Sequence, residues 1–305
     1  MRKLLIVICL LFTGLYDSQA QIKEHAHQIG YSIDFKKITL EKMRYAKSVG
    51  IDYIELAGVS SILDKELNLK GTKSGWKIKV DSLKGILDAA GIKVWSIHMP
   101  FSKDLDLSLV DEVARQKVIQ TQLAVAEVFS PAQPQIMLFH PSYFLGNNER
   151  EARINQLVRS VDELYLGLER YDVQMVVENM LGPNLTMGDR ERPLLRTVEE
   201  CQLVFRRFPE KVGIAVDMCH IANPEKLLLA FGQRVKTLHV SDGNGQAELH
   251  YLPCNKKGEN DWTAIFAALD KINYEGVFMY ECKYSDEREL TDCYDELRKQ
   301  YVNSL

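Results

Sequence analysis

Cysteine is scarce in this chain of 305 residues, which contains six. One of them, Cys9, lies in an apolar stretch near the N-terminus. The others are Cys201, Cys219, Cys254, Cys282 and Cys293. Five is an odd number, and their spacing does not match a disulfide framework, so no disulfide scaffold is expected. An exported protein could still form one pair.

The chain also lacks the short motifs that mark several large enzyme classes. It contains no GxxxxGKS/T, no GxGxxG, no GxSxG and no HExxH. No motif therefore indicates a nucleotide-cofactor enzyme, a serine hydrolase or a zincin protease. Basic charge is not in excess either, because the formal net charge is −4 at pH 7. A mildly acidic protein has no overall field that favours nucleic acid, and no nucleic-acid partner is expected.

Long apolar runs are absent except at the N-terminus. Residues 1–20 combine a basic start, an apolar stretch over residues 4–12 and the small residues Ser18 and Ala20. This pattern indicates a cleaved signal peptide, since the stretch is too short to span a bilayer comfortably. We expect the mature chain, 21–305, to be exported to the periplasm or the medium and to have no membrane partner. An uncleaved anchor is the alternative.

What the sequence does contain is an alternation of strand-like and helix-like segments that recurs eight times. The expected strands are 28–34, 52–57, 92–98, 135–140, 173–178, 212–217, 235–240 and 276–281. Amphipathic helices are expected at 39–49, 79–90, 109–129, 149–170, 197–207, 223–231, 261–272 and 285–303. Several strands are apolar on both faces, as in buried parallel sheets. The fold class is α/β, and we predict a single-domain (β/α)8 TIM barrel over 21–305. A doubly wound open sheet is the alternative.

Four metal-capable side chains end successive predicted strands. Glu178, Asp217, His239 and Glu281 offer three oxygen donors and one nitrogen donor. In a closed parallel barrel the carboxyl ends of all strands face one mouth, so these side chains are expected to meet there. A mixed carboxylate and imidazole set suits one divalent ion such as Mn, Mg, Co or Zn. For any one of the carboxylates, a salt bridge with a neighbouring lysine is the structural alternative.

Further polar residues surround this predicted centre. His98 and His140 end the third and fourth strands, and His220 lies three residues after Asp217. His250 lies in the long loop after the seventh strand, together with Asp242 and Glu248, and Glu55 ends the second strand. We assign His98, His140, His220, His250 and Glu55 to substrate binding. Three of the histidines, His98, His140 and His250, could instead bind further metal, as could Asp242 and Glu248. A purely structural role is also open.

With these residues identified, the chain resembles the xylose isomerase-like TIM barrel superfamily, the sugar phosphate isomerase/epimerase family. The resemblance covers nearly all of the chain after the signal peptide. It is most specific in VVEN around Glu178, AVDMCH around Asp217 and His220, LHVSD at His239 and MYE at Glu281. The resemblance implies that one divalent ion is bound by Glu178, Asp217, His239 and Glu281, and that His220 contacts substrate.

The resemblance also implies a reaction. Glu178 and Glu281 would act as the paired acid and base of an isomerisation or epimerisation that passes through a metal-stabilised enediolate. Because export argues against phosphorylated substrates, an unphosphorylated sugar or keto-sugar is expected. Lyase or dehydratase chemistry is open on the same scaffold.

The sequence departs from the keto-sugar epimerases of this group in one place. Those enzymes typically carry an arginine a few residues after the strand-seven histidine, whereas here the stretch after His239 reads VSDGNGQ. Conversely, His98, His140 and His250, with Asp242 or Glu248, are similar to additional ligands of endonuclease IV. A multi-zinc phosphodiesterase of that type and a non-catalytic sugar-binding barrel are therefore alternatives. A homo-oligomer is also left open.

Overall fold

The fold was taken from a computed structural model that describes residues 27–305. The signal peptide expected at residues 1–20 lies outside that range. Eight strands form one parallel sheet: β1 Ile29–Asp34, β2 Ile51–Ala57, β3 Lys93–His98, β4 Ile136–Phe139, β5 Gln174–Glu178, β6 Gly213–Asp217, β7 Val235–His239 and β8 Phe278–Tyr280. Each overlaps a strand expected from the sequence.

Eight helices alternate with these strands. They are α1 Leu40–Ser48, α2 Lys73–Ala90, α3 Glu112–Phe129, α4 Arg150–Leu168, α5 Val198–Phe205, α6 Pro224–Phe231, α7 Trp262–Lys271 and α8 Glu287–Ser304. The expected start of α2 at residue 79 is wrong, because the helix begins one and a half turns earlier. There the Thr72 hydroxyl accepts a hydrogen bond from the Gly75 N–H and so caps the helix.

The sheet closes on itself. β1 pairs with both β2 and β8, and the ladder continues in order through β7. At the last seam, the Val240 N–H donates to the Met279 carbonyl at 2.7 Å, and the Glu281 N–H donates to the Val240 carbonyl at 3.1 Å. These bonds join β7 to β8, so the predicted (β/α)8 barrel is confirmed and the open sheet is excluded.

The strand period of two explains why polar residues meet at one end of the barrel. Alternate residues of a strand point to the same face. Val176, Ala215 and Met279 are buried inside the barrel, and each lies two residues before a metal-capable side chain. The inward face of these strands is therefore apolar in the interior of the barrel and mainly acidic at the carboxyl ends.

Two connections outside the barrel bear on the site. A short antiparallel hairpin, Thr186–Met187 with Arg190–Glu191, lies between β5 and α5 and had no counterpart in the sequence-based assignment. A disulfide joins Cys254, in the segment between β7 and α7, to Cys293 of α8. Within residues 27–305, no helix is both long and apolar enough to cross a membrane.

Candidate metal centre and its cavity

The four predicted metal ligands come together at the carboxyl ends of β5 to β8. One ligand atom from each of Glu178, Asp217, His239 and Glu281 lies within 4.8 Å of the others. His239 Nδ1 is the central atom: it lies 2.8 Å from Glu178 Oε1, 2.9 Å from Glu281 Oε2 and 4.0 Å from Asp217 Oδ2. Three of the four are buried, whereas the Glu281 side chain is 27% exposed. Residues that are far apart in the sequence thus form one ligand set.

The electrostatics of this group suit a bound cation. Burial tends to lower the pKa of His239, yet Glu281, Glu55 and Glu178 raise it well above its ordinary value. Burial raises the pKa of Asp217 to about 6, although His220 and His250 oppose that shift. Within the described chain, Asp217 Oδ2 has no hydrogen-bond partner. A buried carboxylate oxygen without a donor is costly unless a cation or proton meets it.

Glu55 lies beneath the centre and not in the cavity. It is fully buried, and its Oε2 accepts from Ser96 Oγ at 2.7 Å and lies 3.1 Å from His239 Nε2. This geometry corrects the substrate contact expected of Glu55. A carboxylate on the far nitrogen of a ligating histidine fixes the tautomer and the ring orientation, leaving Nδ1 for a metal.

Asn179 is a residue that the sequence analysis did not assign. Its Oδ1 accepts from the Asp217 N–H at 2.8 Å, and its Nδ2 donates to the Asp217 carbonyl at 3.2 Å. Its own carbonyl lies 2.9 Å from His220 Nδ1. Asn179 therefore joins the end of β5 to the turn that carries Asp217 and His220. The signal was available in the sequence, because this asparagine directly follows Glu178.

His98 and His140 form one wall beside the carboxylates. His140 Nε2 lies 3.2 Å from Glu178 Oε2, and His98 Nε2 lies 3.7 Å from Glu281 Oε1. Burial lowers the pKa of His140 to about 4, so this imidazole is neutral at pH 7 and can accept a hydrogen bond or bind a metal. The Phe101 ring stacks on His140 at 4.1 Å between centroids. Phe101 was another residue that the sequence analysis did not assign.

His220 and His250 form the opposite wall through a shared carboxylate. Glu248 Oε2 lies 2.9 Å from His220 Nε2 and 2.9 Å from His250 Nε2. His220 Nε2 is also 3.6 Å from Asp217 Oδ2. Burial opposes the protonation of His250, but the hydrogen bond that its ring donates to Glu248, together with nearby acidic groups, raises its pKa to about 9. This triplet is therefore charged and compact.

Asp242 is not available to substrate or metal. Its carboxylate accepts from Trp262 Nε1 at 3.0 Å and from the N–H groups of Gly243 at 2.9 Å and Asn260 at 3.1 Å. The residue is 2% exposed. Its carboxylate instead holds the base of the long loop after β7, which corrects the ligand role considered for it.

A cavity of about 410 Å³ opens above the candidate centre. His98, His140, Glu178, His220, Glu248, His250 and Glu281 supply its polar lining. Met99, Phe101 and Met180 are among the apolar residues that face them. Among residues 27–305, no lysine or arginine lines it. The cavity can therefore hold a small polar molecule against carboxylates and imidazoles, but it offers no permanent cation for a phosphate group.

Comparison with known proteins identifies the family of this barrel. Residues 43–300 match the family described as xylose isomerase-like TIM barrel. A D-tagatose 3-epimerase-like protein superposes with a TM-score of 0.70 at 18% identity, covering 90% of this chain and 97% of that chain. The 3-keto-D-glucoside 4-epimerase of E. coli superposes with a TM-score of 0.67 at 16% identity, covering 90% and 100%.

Two further matches extend the comparison. D-psicose 3-epimerase from Clostridium cellulolyticum H10 has a TM-score of 0.67 at 15% identity, covering 90% of this chain and 99% of that chain. An uncharacterised protein of Methanocaldococcus jannaschii is 24% identical over 206 residues, which are 67% of this chain and 76% of that protein. At these identities the structural similarity establishes the fold alone.

Proposed function

Because the chain belongs to the xylose isomerase-like TIM barrel family, we propose that it is a divalent-metal-dependent sugar isomerase or epimerase. The observation that carries this proposal is the placement of two glutamates on one imidazole nitrogen. Glu178 and Glu281 lie 2.8 Å and 2.9 Å from His239 Nδ1, and both line the cavity. A substrate carbon bound above this group would be within reach of both carboxylates.

The donor set fits a divalent ion. Glu178, Asp217, His239 and Glu281 would hold it, since three carboxylates and one imidazole suit Mn, Mg, Co or Zn. When bound, such an ion draws electron density from a carbonyl and an adjacent hydroxyl group, which acidifies the neighbouring C–H. The unpartnered Asp217 Oδ2 supports this assignment.

The side chains of the site have separate roles in proton transfer, substrate binding and support of His239. One of Glu178 and Glu281 removes the carbon-bound proton, and the other returns a proton to the same or the adjacent carbon. His98, His140, His220 and His250 face the cavity and bind substrate hydroxyl groups. Glu55 acts from below by holding the His239 ring in place.

The substrate class follows from what lines the cavity. Phosphate-binding sites normally present lysine, arginine or clustered N–H groups, and the cavity lining within residues 27–305 has neither cation. An unphosphorylated sugar or keto-sugar fits this lining. The D-tagatose, D-psicose and 3-keto-D-glucoside named for the similar structures are uncharged sugars, which supports the same class.

We also propose that the protein is exported to the periplasm or the medium. The basic and apolar residues 1–20 carry this proposal. The disulfide between Cys254 and Cys293 supports it, because such bonds persist mainly in oxidising compartments.

Deuterium wash-in tests the proposed reaction. The Mn-loaded protein is incubated in D2O with a panel of unphosphorylated aldoses, ketoses and 3-keto sugars, and deuterium at the carbon next to the carbonyl is measured by NMR. We expect exchange with at least one sugar, and a loss of about 10²- to 10⁴-fold in Glu178→Gln. Glu275→Gln, on the opposite end of the barrel, is the matched control and should keep full activity.

The outcome distinguishes the alternatives. Sugar binding without exchange in the unmodified, metal-loaded protein would establish a non-catalytic sugar-binding barrel. Exchange at a carbon followed by loss of water would identify dehydratase chemistry on the same residues.

A second candidate is a multi-zinc phosphodiesterase of the endonuclease IV type. Within residues 27–305, three triplets besides the main set have ligand atoms within 4.8 Å of one another: His98 with His140 and Glu178, His98 with His239 and Glu281, and Asp217 with His220 and His250. About three zinc ions per chain by elemental analysis, with hydrolysis of a phosphodiester, would favour this function. One metal ion per chain and no hydrolysis would exclude it.

A further inference from the structure

We propose that oxidation of Cys254 and Cys293 to a disulfide activates this protein, because the bond fixes the loop that carries Glu248 and His250 against the cavity. The effect on turnover rests on the proposed function, whereas the effect on the loop does not.

The loop has two legs that meet at its base. Asp242 and Tyr251 exchange backbone hydrogen bonds of 2.8 Å and 2.9 Å, which close an excursion over residues 243–250. The second leg continues from Tyr251 to Cys254, whose Cα lies 5.6 Å from that of Cys293 in α8. The disulfide therefore ties the return leg of the loop to an outer helix of the barrel.

The two legs are linked, so a tether on one restrains the other. The Glu259 N–H donates to the Gly243 carbonyl at 2.8 Å. The Asn260 N–H donates to Asp242 Oδ1 at 3.1 Å, and Asn260 Nδ2 donates to the Met218 carbonyl at 3.0 Å. Movement of the segment around Cys254 would therefore displace the leg that enters the cavity.

The entering leg is held to the barrel by hydrogen bonds, and residues 243–250 contain no cysteine that could tie it covalently. Arg192 Nη2 donates to the Gln246 carbonyl at 3.3 Å, and the His250 N–H donates to Cys219 Sγ at 3.4 Å. The Gly245 N–H donates to the Cys219 carbonyl at 3.2 Å, and the Lys283 N–H donates to the His250 carbonyl at 2.9 Å. His250 itself has a φ of +45°, a left-handed conformation that is unfavourable for a non-glycine residue. A strained residue persists only where its surroundings hold it, and the disulfide is the covalent part of those surroundings.

The bond is also open to chemistry. Cys254 is partly exposed and lines a surface cleft of about 210 Å³ with Lys256 and Gly258, whereas Cys293 is buried. A small thiolate can therefore reach the Cys254 sulfur. In the forward direction the two thiols pass their hydrogens and two electrons to the disulfide of an exchange partner, which leaves as a dithiol. In the reverse direction dithiothreitol supplies the electrons and is itself oxidised to a cyclic disulfide.

The first measurement establishes the redox state. Alkylation under denaturing conditions should modify Cys201, Cys219 and Cys282 in the oxidised protein, and two further cysteines after dithiothreitol. Amide hydrogen exchange then compares the two states. On reduction, amides over residues 243–251 should exchange about tenfold faster or more, because the return leg of their loop loses its covalent tie to α8. Exchange in β4 and β5 should not change.

The activity measurement follows with the sugar that gives deuterium wash-in. Reduction should raise KM about tenfold with a smaller effect on kcat, because Glu248 and His250 contact substrate and do not transfer the proton. A Cys254→Ser/Cys293→Ser variant should behave as the reduced protein, and dithiothreitol should have no further effect on it. The unchanged exchange of β4 and β5 shows that the variant is folded.

The results separate this proposal from the proposed function. Equal exchange over residues 243–251 in both redox states would overturn the tether, whatever the activity. Faster amide exchange in the loop of the reduced protein, without any deuterium wash-in activity, would support the tether and contradict the proposed isomerase function. Faster exchange with an unchanged KM would show that the loop does not reach substrate, and would overturn activation.

Discussion

His239 shows how one side chain can organise the site. Its Nε2 lies 3.1 Å from Glu55, and its Nδ1 faces Glu178 and Glu281. With acidic groups on both nitrogens, the ring holds two protons in the metal-free protein, which agrees with its raised pKa. If Nδ1 bound a metal, it would give up one of those protons, and the Nε2–H would stay directed at Glu55. Metal affinity should therefore increase with pH.

Glu55→Gln tests this arrangement at the residue scale. The amide keeps the size of the side chain but removes its charge, so His239 loses part of the force that orients it. We expect Mn affinity to fall about 10- to 100-fold by calorimetric titration, the range typical of such supporting carboxylates. Glu275→Gln, exposed and remote from the site, is the control. Unchanged affinity in Glu55→Gln would mean that packing alone orients His239.

At the scale of elements, close steric packing holds the loop after β7 in place in addition to its hydrogen bonds. Gly245 has a φ of +68°, and a Cβ there would overlap the backbone of Ala222. Gly188, at the tip of the hairpin between β5 and α5, has a φ of +65° with open space around the position of its Cβ. The two glycines therefore share a backbone conformation and differ in their surroundings.

Replacing each glycine with alanine separates the two effects. Gly188→Ala should lower the free energy of unfolding by about 1 kcal/mol, the cost of a left-handed alanine. Gly245→Ala should lower it by about 2–4 kcal/mol, because overlap with the backbone adds to that cost. Chemical denaturation measures both. Equal losses would show that the loop moves aside without strain.

At the scale of the whole molecule, the candidate metal centre links the ends of four strands that are separated in sequence. Glu178 on β5 and Glu281 after β8 are 103 positions apart, yet each lies within 3 Å of the same nitrogen. A cation there binds the folded barrel and not the unfolded chain, so it should stabilise the whole domain. Without it, the buried Asp217 opposes folding near neutral pH, because burial raises its pKa to about 6.

Metal addition to the protein dialysed against chelator tests this linkage. Mn at one hundred times its Kd should add about 2.7 kcal/mol of stability. For a domain of this size, that corresponds to an increase in Tm of roughly 4–6 °C. Calorimetry or fluorescence measures the shift. Asp217→Asn should lose most of it, and an equal shift in that variant would assign the stabilisation to a different site.

The sequence by itself determined the order of strands and helices, the family and the identity of the four candidate ligands. These features are local, since they depend on hydrophobic period, on helix caps such as Asp261 and on which residue ends each strand. Asp261 was expected to begin α7, and it does so by accepting from the Ala264 N–H.

Only the tertiary structure decided which polar residues share a cavity. Glu55 was assigned to the end of the second strand, but β2 continues to Ala57, so Glu55 lies deeper in the barrel than Glu178 and contacts His239 Nε2 from below. Asp242 and Glu248 occur six residues apart in one loop, yet one is buried under Trp262 and the other joins two histidines. Pairing between Cys254 and Cys293 likewise required their Cα atoms to be brought within 5.6 Å. Such distinctions depend on packing between segments remote in sequence, which no local pattern records.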